Sequence, residues 1–156
     1  MMKFKNPMLI VTDIDRSVVF YRKVFGLRVI MDFGANKTLT GGLALQTLET
    51  WKNFINKDTS DIIIKNNACE LYFEEDDMDK FIKKLDTLEN IEYVHRLFEH
   101  RWGQRVVRFY DLDKHIIEVG ENMVNVVKRF FKQGLSEDEI ATRMDVPIDY
   151  IKSCLE

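Results

Sequence analysis

Four side chains that carry an oxygen donor stand at repeated positions: Asn6 and Glu70, each seven residues before a helix-capping aspartate, and Gln46 and Glu118, polar residues in otherwise apolar runs. Two carboxylates facing one another without a metal repel, so one of Glu70 and Glu118 would hold a proton and serve as a general acid or base. With a metal, Gln46, Glu70 and Glu118 would suit a hard cation such as Mg, Mn or Ca better than Zn or Fe, because the set offers oxygen donors. A second cluster is "HRWGQR", His100 to Arg105, in which a glycine turn sets an indole, an amide and a guanidinium side by side. Trp102, Gln104 and Arg105 there suit the capture of a planar or anionic ligand by stacking and forked hydrogen bonding. Tyr72 lies two residues beyond Glu70 and shares its face of a strand. Arg105 and Arg108 are three apart and point to opposite faces, so at most one of them reaches the site; Arg105 is the better candidate because it belongs to the turn cluster. His95, His100 and His115 fall outside these positions and read as solvated or hairpin residues.

The elements that must carry these side chains repeat. Asp13-Ile14-Asp15-Arg16 and Asp77-Met78-Asp79-Lys80 stand 64 residues apart, each an acidic helix cap ahead of an apolar stripe. Upstream of the caps lie the strand-forming runs "PMLIV" and "ELYF", and Gly26 sits where a helix end favours a left-handed residue. After each helix the hydrophobic period changes to two. "LRVIMDF", "TLT" and "LALQTL" follow the first, and "IEYVHRLF", "RVVRFYD" and "HIIEVG" the second. Each copy reads as βαβββ. One copy cannot bury its apolar face alone, so the pair should form a curved mixed sheet around a shared cleft. Asn6 and Glu70 then occupy equivalent first strands, Gln46 and Glu118 equivalent last strands, and the four converge.

"DIDRSVVFYRKVFGL", taken with "RFYDLDKHIIEVGE", resembles the vicinal oxygen chelate superfamily, which includes glyoxalases, bleomycin-resistance proteins and extradiol dioxygenases. The resemblance covers about residues 3 to 121. It implies an α+β fold of two βαβββ modules, about 3–50 and 68–120, in a domain spanning 1–121. The superfamily's metal enzymes place His, Gln or Glu ligands at four strand positions, which map to Asn6, Gln46, Glu70 and Glu118. Glu118 matches a metal-dependent glyoxalase; Asn6, Gln46 and Glu70 depart from the usual histidine, glutamine and glutamate pattern. The usual metal site is therefore expected to be degenerate, with no cofactor and a divalent metal as the alternative. "DLDK" stands where the superfamily has Asp-Pro-Asp-Gly.

Composition narrows the class. A 156-residue chain with 46% apolar residues and a net charge of −3 reads as a globular protein without a nucleic-acid or anionic-membrane footprint. No apolar run reaches the length of a membrane span, the amino end turns polar too early for a signal peptide, and Cys69 and Cys154 lack metal or redox spacing; the cytoplasm is expected. Residues 52–68 form an asparagine-rich linker around Ile62-Ile63-Ile64, placed over the cleft mouth or at a subunit boundary. Residues 122–156 read as a helical extension of three helices, with a capping box at Ser136 and Glu139 and Pro147 opening the last. From Glu121 onward it holds five basic against seven acidic residues. "GLSEDEIATRMDVP" resembles a helix-turn-helix, but a DNA-reading unit should be basic. The expectation is a homodimer whose cleft binds a small organic molecule. The alternatives are a lyase or isomerase of glyoxalase type with an oxygen-only metal site, and a DNA-linked ligand sensor.

Overall fold

The computed structural model describes all residues from Met1 to Glu156. The chain forms β1 (Met8–Val11), α1 (Ile14–Phe25), β2 (Val29–Asp32), β3 (Asn36–Leu39), β4 (Ala44–Thr47) and α2 (Leu48–Phe54), then β5 (Glu70–Glu75), α3 (Met78–Asp86), β6 (Tyr93–Glu99), β7 (Arg105–Tyr110) and β8 (Ile116–Glu121). Helices α4 (Met123–Lys132), α5 (Glu137–Met144) and α6 (Ile148–Leu155) complete it. The fold is α+β, with two four-stranded mixed sheets ordered β1-β4-β3-β2 and β5-β8-β7-β6, neither of them closed. In each, the first strand pairs parallel with the fourth, as a βαβββ module requires. No helix is long and apolar enough to cross a membrane.

The chain divides into two compact units. The first comprises residues 1–69 and 110–115. Its helix α1 is capped by the Asp13 carboxylate, which accepts from the Arg16 backbone N–H, and ended by Gly26 in the left-handed conformation. Ile14, Tyr21 and Val24 of α1 are buried, as are Val11, Leu39 and Leu45 of the sheet. The "DLDK" turn anchors this core: the buried Asp111 carboxylate accepts from Tyr21 Oη and from His115 Nδ1, each at 2.8 Å. Burial by itself would raise the Asp111 carboxyl, but the His115 hydrogen bond and charge outweigh it and hold it below the ordinary carboxylate range. Burial pushes the Tyr21 phenol well up, with Asp111 adding to it.

The second unit comprises residues 70–109 and 116–156. Asp77 caps α3 through the Lys80 N–H, 64 positions after its counterpart. Alternate residues of the sheet, Val107, Phe109, Ile117 and Val119, are buried, and so are Met78, Phe81 and Leu85 of α3. The three C-terminal helices belong to this unit and share a core of Val126, Val127, Phe130, Ile140, Met144, Ile151 and Cys154. The Ser136–Glu139 capping box is present, and Pro147 is the cap of α6. Of the tail's apolar residues, Phe130, Ile140 and Met144 are buried, whereas Phe131 is exposed.

Three local readings differ from the structure. "LALQTL" ends as a strand at Thr47, and Leu48 starts α2, because Thr47 and Thr50 share hydroxyl hydrogen bonds that turn the chain into a helix. β1 starts at Met8, two residues later than its repeat predicts, so Asn6 precedes the strand; Pro7 has no N–H to extend the ladder. The strand register also separates two residues expected to be equivalent. Val11 pairs with Thr47 two residues before the first cap, and Glu75 with Glu121 two residues before the second. On that count Gln46 corresponds to Gly120, and Glu118 to Ala44.

Candidate functional site

In the first unit, β1 and β3 flank Gln46, which pairs in register with Ile10 and Asn36. Its Oε1 accepts from Asn36 Nδ2 at 2.8 Å, and its Nε2 donates to the Thr50 hydroxyl of α2. Gln46 is buried with both ends of its amide engaged. Asn6 is half-buried, and its amide donates to the adjacent Pro7 carbonyl at 3.4 Å. Ile62, Ile63 and Ile64 of the linker, with Met8, Ile10 and Trp51, line a cavity of about 290 Å³ within this unit.

In the second unit, one sheet face gathers most of the chemistry-bearing side chains. Period two puts Glu70 and Tyr72 of β5, Glu118 and Gly120 of β8, and Val106 and Arg108 of β7 on that face. The Arg108 guanidinium joins them. Its Nε donates to Glu70 Oε2 at 3.0 Å, its Nη2 to Glu118 Oε2, and its Nη1 to His95 Nε2 at 3.2 Å. Because arginine can only donate, His95 Nε2 accepts and the ring proton sits on Nδ1, which reaches the Arg96 carbonyl oxygen at 2.9 Å. The mutual repulsion that would have made one glutamate a proton carrier is thus offset by a guanidinium between them. The bonded cluster holds two carboxylates and one cation.

His95 reaches this face through irregular pairing. Tyr93 stands opposite Phe109 and His95 opposite Arg108, so two residues of β6 span one of β7; a second irregularity separates His95 from Phe98. These bulges reverse the alternation and line up a run of rings. His95 to Phe98 and Phe98 to His100 have centroids 4.6 Å apart, and His100 stacks on Trp102 at 4.1 Å with planes 8° apart. Burial, with the Arg108 guanidinium beside it, lowers the His100 imidazole below its ordinary value and favours the neutral ring.

The turn cluster continues the face. Trp102 Nε1 donates to Gln104 Oε1 at 3.4 Å, and Gln104 Nε2 donates to Tyr72 Oη and to the Glu121 carbonyl, each at 3.1 Å. Tyr72 can lie over β8 because Gly120 has no Cβ: a methyl there would sit 3.0 Å from the phenol ring and 2.8 Å from Gln104 Nε2. Tyr72 is 51% exposed and Phe98 41%, so both offer ring surface to a ligand.

Arg105 does not take the part expected of it. It lies on the opposite face, donating to Glu121 at 2.9 and 3.1 Å and to Asp79 in the first turn of α3 at 2.8 Å. Glu121 also accepts from Arg129 of α4 at 3.0 Å. Burial alone would raise Glu121, but Arg105 and Arg129 outweigh it and hold the carboxyl below its usual range. Arg105 therefore ties the sheet to α3, and through Glu121 to α4. Of the expected site residues, the structure brings Glu70, Glu118, Tyr72, Trp102 and Gln104 onto one face, and it adds Arg108, His95, Phe98 and His100. Arg108 was legible as the alternative to Arg105, but His95 depended on bulges that alternation does not reveal.

The resemblance implies a divalent metal, and the residues present do not fit one. Glu70 and Glu118 direct Oε2 at a guanidinium, which places a fixed positive charge at the oxygens a metal would use. Gln46 Oε1 is occupied by Asn36.

The glyoxalase-like domain family model matches residues 4–124. No curated protein matches this chain. Among solved structures, a protein of unknown function from Agrobacterium tumefaciens str. C58 is 38% identical with a TM-score of 0.70, over 78% of this chain and 95% of that one. A glyoxalase-related enzyme from Fulvimarina pelagi has 15% identity and a TM-score of 0.66 over 80% of this chain and 91% of its own. The fosfomycin resistance protein FosX from Listeria monocytogenes, solved in complex with Mn(II) and sulfate, has 18% identity and a TM-score of 0.58 over 83% and 98%. The last two likenesses speak for the fold alone. The matched model spans both βαβββ modules, and the chain belongs to the glyoxalase-like domain family.

Proposed function

We propose that the protein binds a small planar organic molecule on the ring-lined face of its second unit, with the family's usual metal site degenerate. The observation that carries this reading is the row Phe98–His100–Trp102 beside the Glu70–Arg108–Glu118 cluster. The rings supply stacking surface. Each terminal nitrogen of Arg108 retains a second N–H beyond the bonds described, and these suit a carbonyl or hydroxyl oxygen of the ligand. The Glu70 and Glu118 carboxylates that flank Arg108 repel an anion, which favours a neutral or cationic ligand over it. A glyoxalase-type lyase or isomerase reaction remains outside this reading, because Arg108 bonds the Glu70 and Glu118 oxygens that such an enzyme's metal would use. Nucleic acid is outside it too, given the acidic balance of residues 121–156.

A homodimer is the assembly we propose. β2 is an edge strand whose Val29, Ile30 and Met31 are all exposed beside the exposed Phe33, an apolar edge of the kind that pairs with a second chain. Sedimentation of the intact protein and of a Met31→Lys variant tests it; equal mass for both, at the monomer value, sinks it. A cytoplasmic location accords with two cysteines that form no disulfide.

Fluorescence titration tests the ligand class. Berberine, a planar cation, should bind at least tenfold more tightly than the anion 1-anilinonaphthalene-8-sulfonate, and the Trp102→Ala variant should lose that binding. Equal affinities, or berberine binding unchanged in the variant, would contradict the reading.

A further inference from the structure

We propose that the cavity beside β1 of the first unit is a second binding site, which takes a small aliphatic carboxylate. The inference goes beyond the reading above: the cavity shares no residue with the ring-lined face, and its ligand has the charge that face disfavours.

The lining sets the body of the ligand. Ile62, Ile63 and Ile64 of the linker, Met8 and Ile10 of β1 and Trp51 of α2 surround about 290 Å³, near the lower end of the range for small-molecule sites. Ile63 is 71% exposed and Met8 38%, so apolar surface meets water here until something covers it. All of these side chains but Trp51 are aliphatic, and a short hydrocarbon chain buries their surface better than a rigid planar ring would.

The rim sets the head. Asn67, Lys114 and His115 also line the cavity. Tyr110 gathers positive charge beside them: its Oη donates to Asn67 Oδ1 at 2.7 Å, while Lys65 Nζ and Lys114 Nζ lie 5.3 and 5.9 Å from its ring centroid. Contact with a ring leaves an ammonium its charge. The neighbouring acids are engaged elsewhere. Asp111 accepts from Tyr21 and His115, Asp113 from Thr12 and Glu70 from Arg108, and Asp58 and Asp61 of the linker close a capping box on each other's backbone. Two ammonium groups against engaged carboxylates favour an anionic head over a cationic one.

Isothermal titration calorimetry with octanoate is the test. The unaltered protein should bind one octanoate per chain at least tenfold more tightly than octylamine. Lys114 has φ +72°, which glycine adopts without strain, so Lys114→Gly removes the ammonium and keeps the turn. That variant should bind octanoate at least fivefold more weakly and octylamine no more weakly. Ile64→Asp should abolish octanoate binding. Circular dichroism checks its fold, and Ile64→Ala, with an expected loss of at least threefold, replaces it if it does not fold. Octylamine bound as tightly as octanoate, octanoate indifferent to Lys114→Gly, or a folded Ile64 variant that binds it unchanged would overturn the proposal. So would the absence of octanoate binding, the result if a second copy of the chain covers the cavity. No residue of the ring-lined face is altered, so failure here is distinct from failure of berberine to bind.

Discussion

The two modules share a topology and differ in what they place on one sheet face. Counted from the helix caps, the rung that holds Glu118 in the second unit holds Ala44 in the first, paired with Met8 and Thr38. The first unit has its own polar pair, Asn36 and Gln46, one rung along. That pair is neutral, and α2 closes it through Thr50. In the second unit a guanidinium, two carboxylates and an imidazole meet beside a row of rings. The two modules therefore repeat the scaffold, while the ionic cluster and the row of rings belong to the second copy. A half-buried amide pair holds a fold together, whereas a half-open ionic cluster whose guanidinium keeps further N–H groups is suited to a ligand.

The largest contrast concerns what lies past the repeat. Deleting residues 122–156 removes Phe130 and Val126, which pack on Gly103, and Arg129, which bonds Glu121 and the Gly103 carbonyl oxygen. The truncated chain should aggregate or lose most of its cooperative unfolding transition in urea. A truncated protein as stable as the full one would show that the second unit does not need its helices.

Next in size is a pair of glycine substitutions. Gly103 has φ +93°, and a Cβ there would collide with the Phe130 ring. Gly103→Val should cost about 3 kcal/mol or more in urea unfolding, from overpacking and left-handed strain together. Gly42, in the β3–β4 hairpin of the first unit, has φ +87°, and a Cβ there would meet nothing within 4 Å. Gly42→Ala should cost only about 1–2 kcal/mol, the strain alone. Equal losses would erase the distinction between the two hairpins.

The polar pairs differ less. Arg108→Met leaves Glu118, 7% exposed, facing Glu70 without a counter-ion, and should cost about 2 kcal/mol. Adding Glu118→Gln should restore part of that loss. Asn36→Ala in the first unit should cost about 1 kcal/mol with no such rescue by a neighbour. Additive losses for Arg108→Met and Glu118→Gln would mean that the two residues do not interact.

The smallest effect is in the pH profile. Glu121 has its folded value below the unfolded one, so the unfolded chain binds more protons and stability rises with pH through that window. Its contribution is whole above the ordinary carboxylate range and fades as pH falls below about 4. Glu121→Gln should flatten the acid limb of urea midpoint against pH, and an unchanged slope would remove Glu121 from the account.

Much of this was legible in the chain. Asp13 and Asp77 announced two helices because a carboxylate three residues before a backbone N–H is a local device, and the strands followed from alternation. Alternation put Tyr72 on the face of Glu70, the repeat singled out Glu70 and Glu118, and the glycine turn of "HRWGQR" set Trp102 and Gln104 side by side. What escaped depended on geometry that spacing does not carry. Pro7 cut β1 short and left Asn6 outside it. The register slid Gln46 one rung from Glu118. Bulges in β6 turned His95 to the face of Arg108, and Arg105 was drawn to the other face by Glu121 and Asp79.

The central claim is that the second unit's face, and not the equivalent face of the first, takes the ligand. The direct measurement is nuclear magnetic resonance of isotope-labelled protein titrated with berberine, following side-chain signals of both units. The account predicts shifts at His95, Trp102 and Arg108, with Asn36, Gln46 and Thr50 unmoved. Shifts centred on Asn36 and Gln46, or none at Trp102 at saturating berberine, would contradict it.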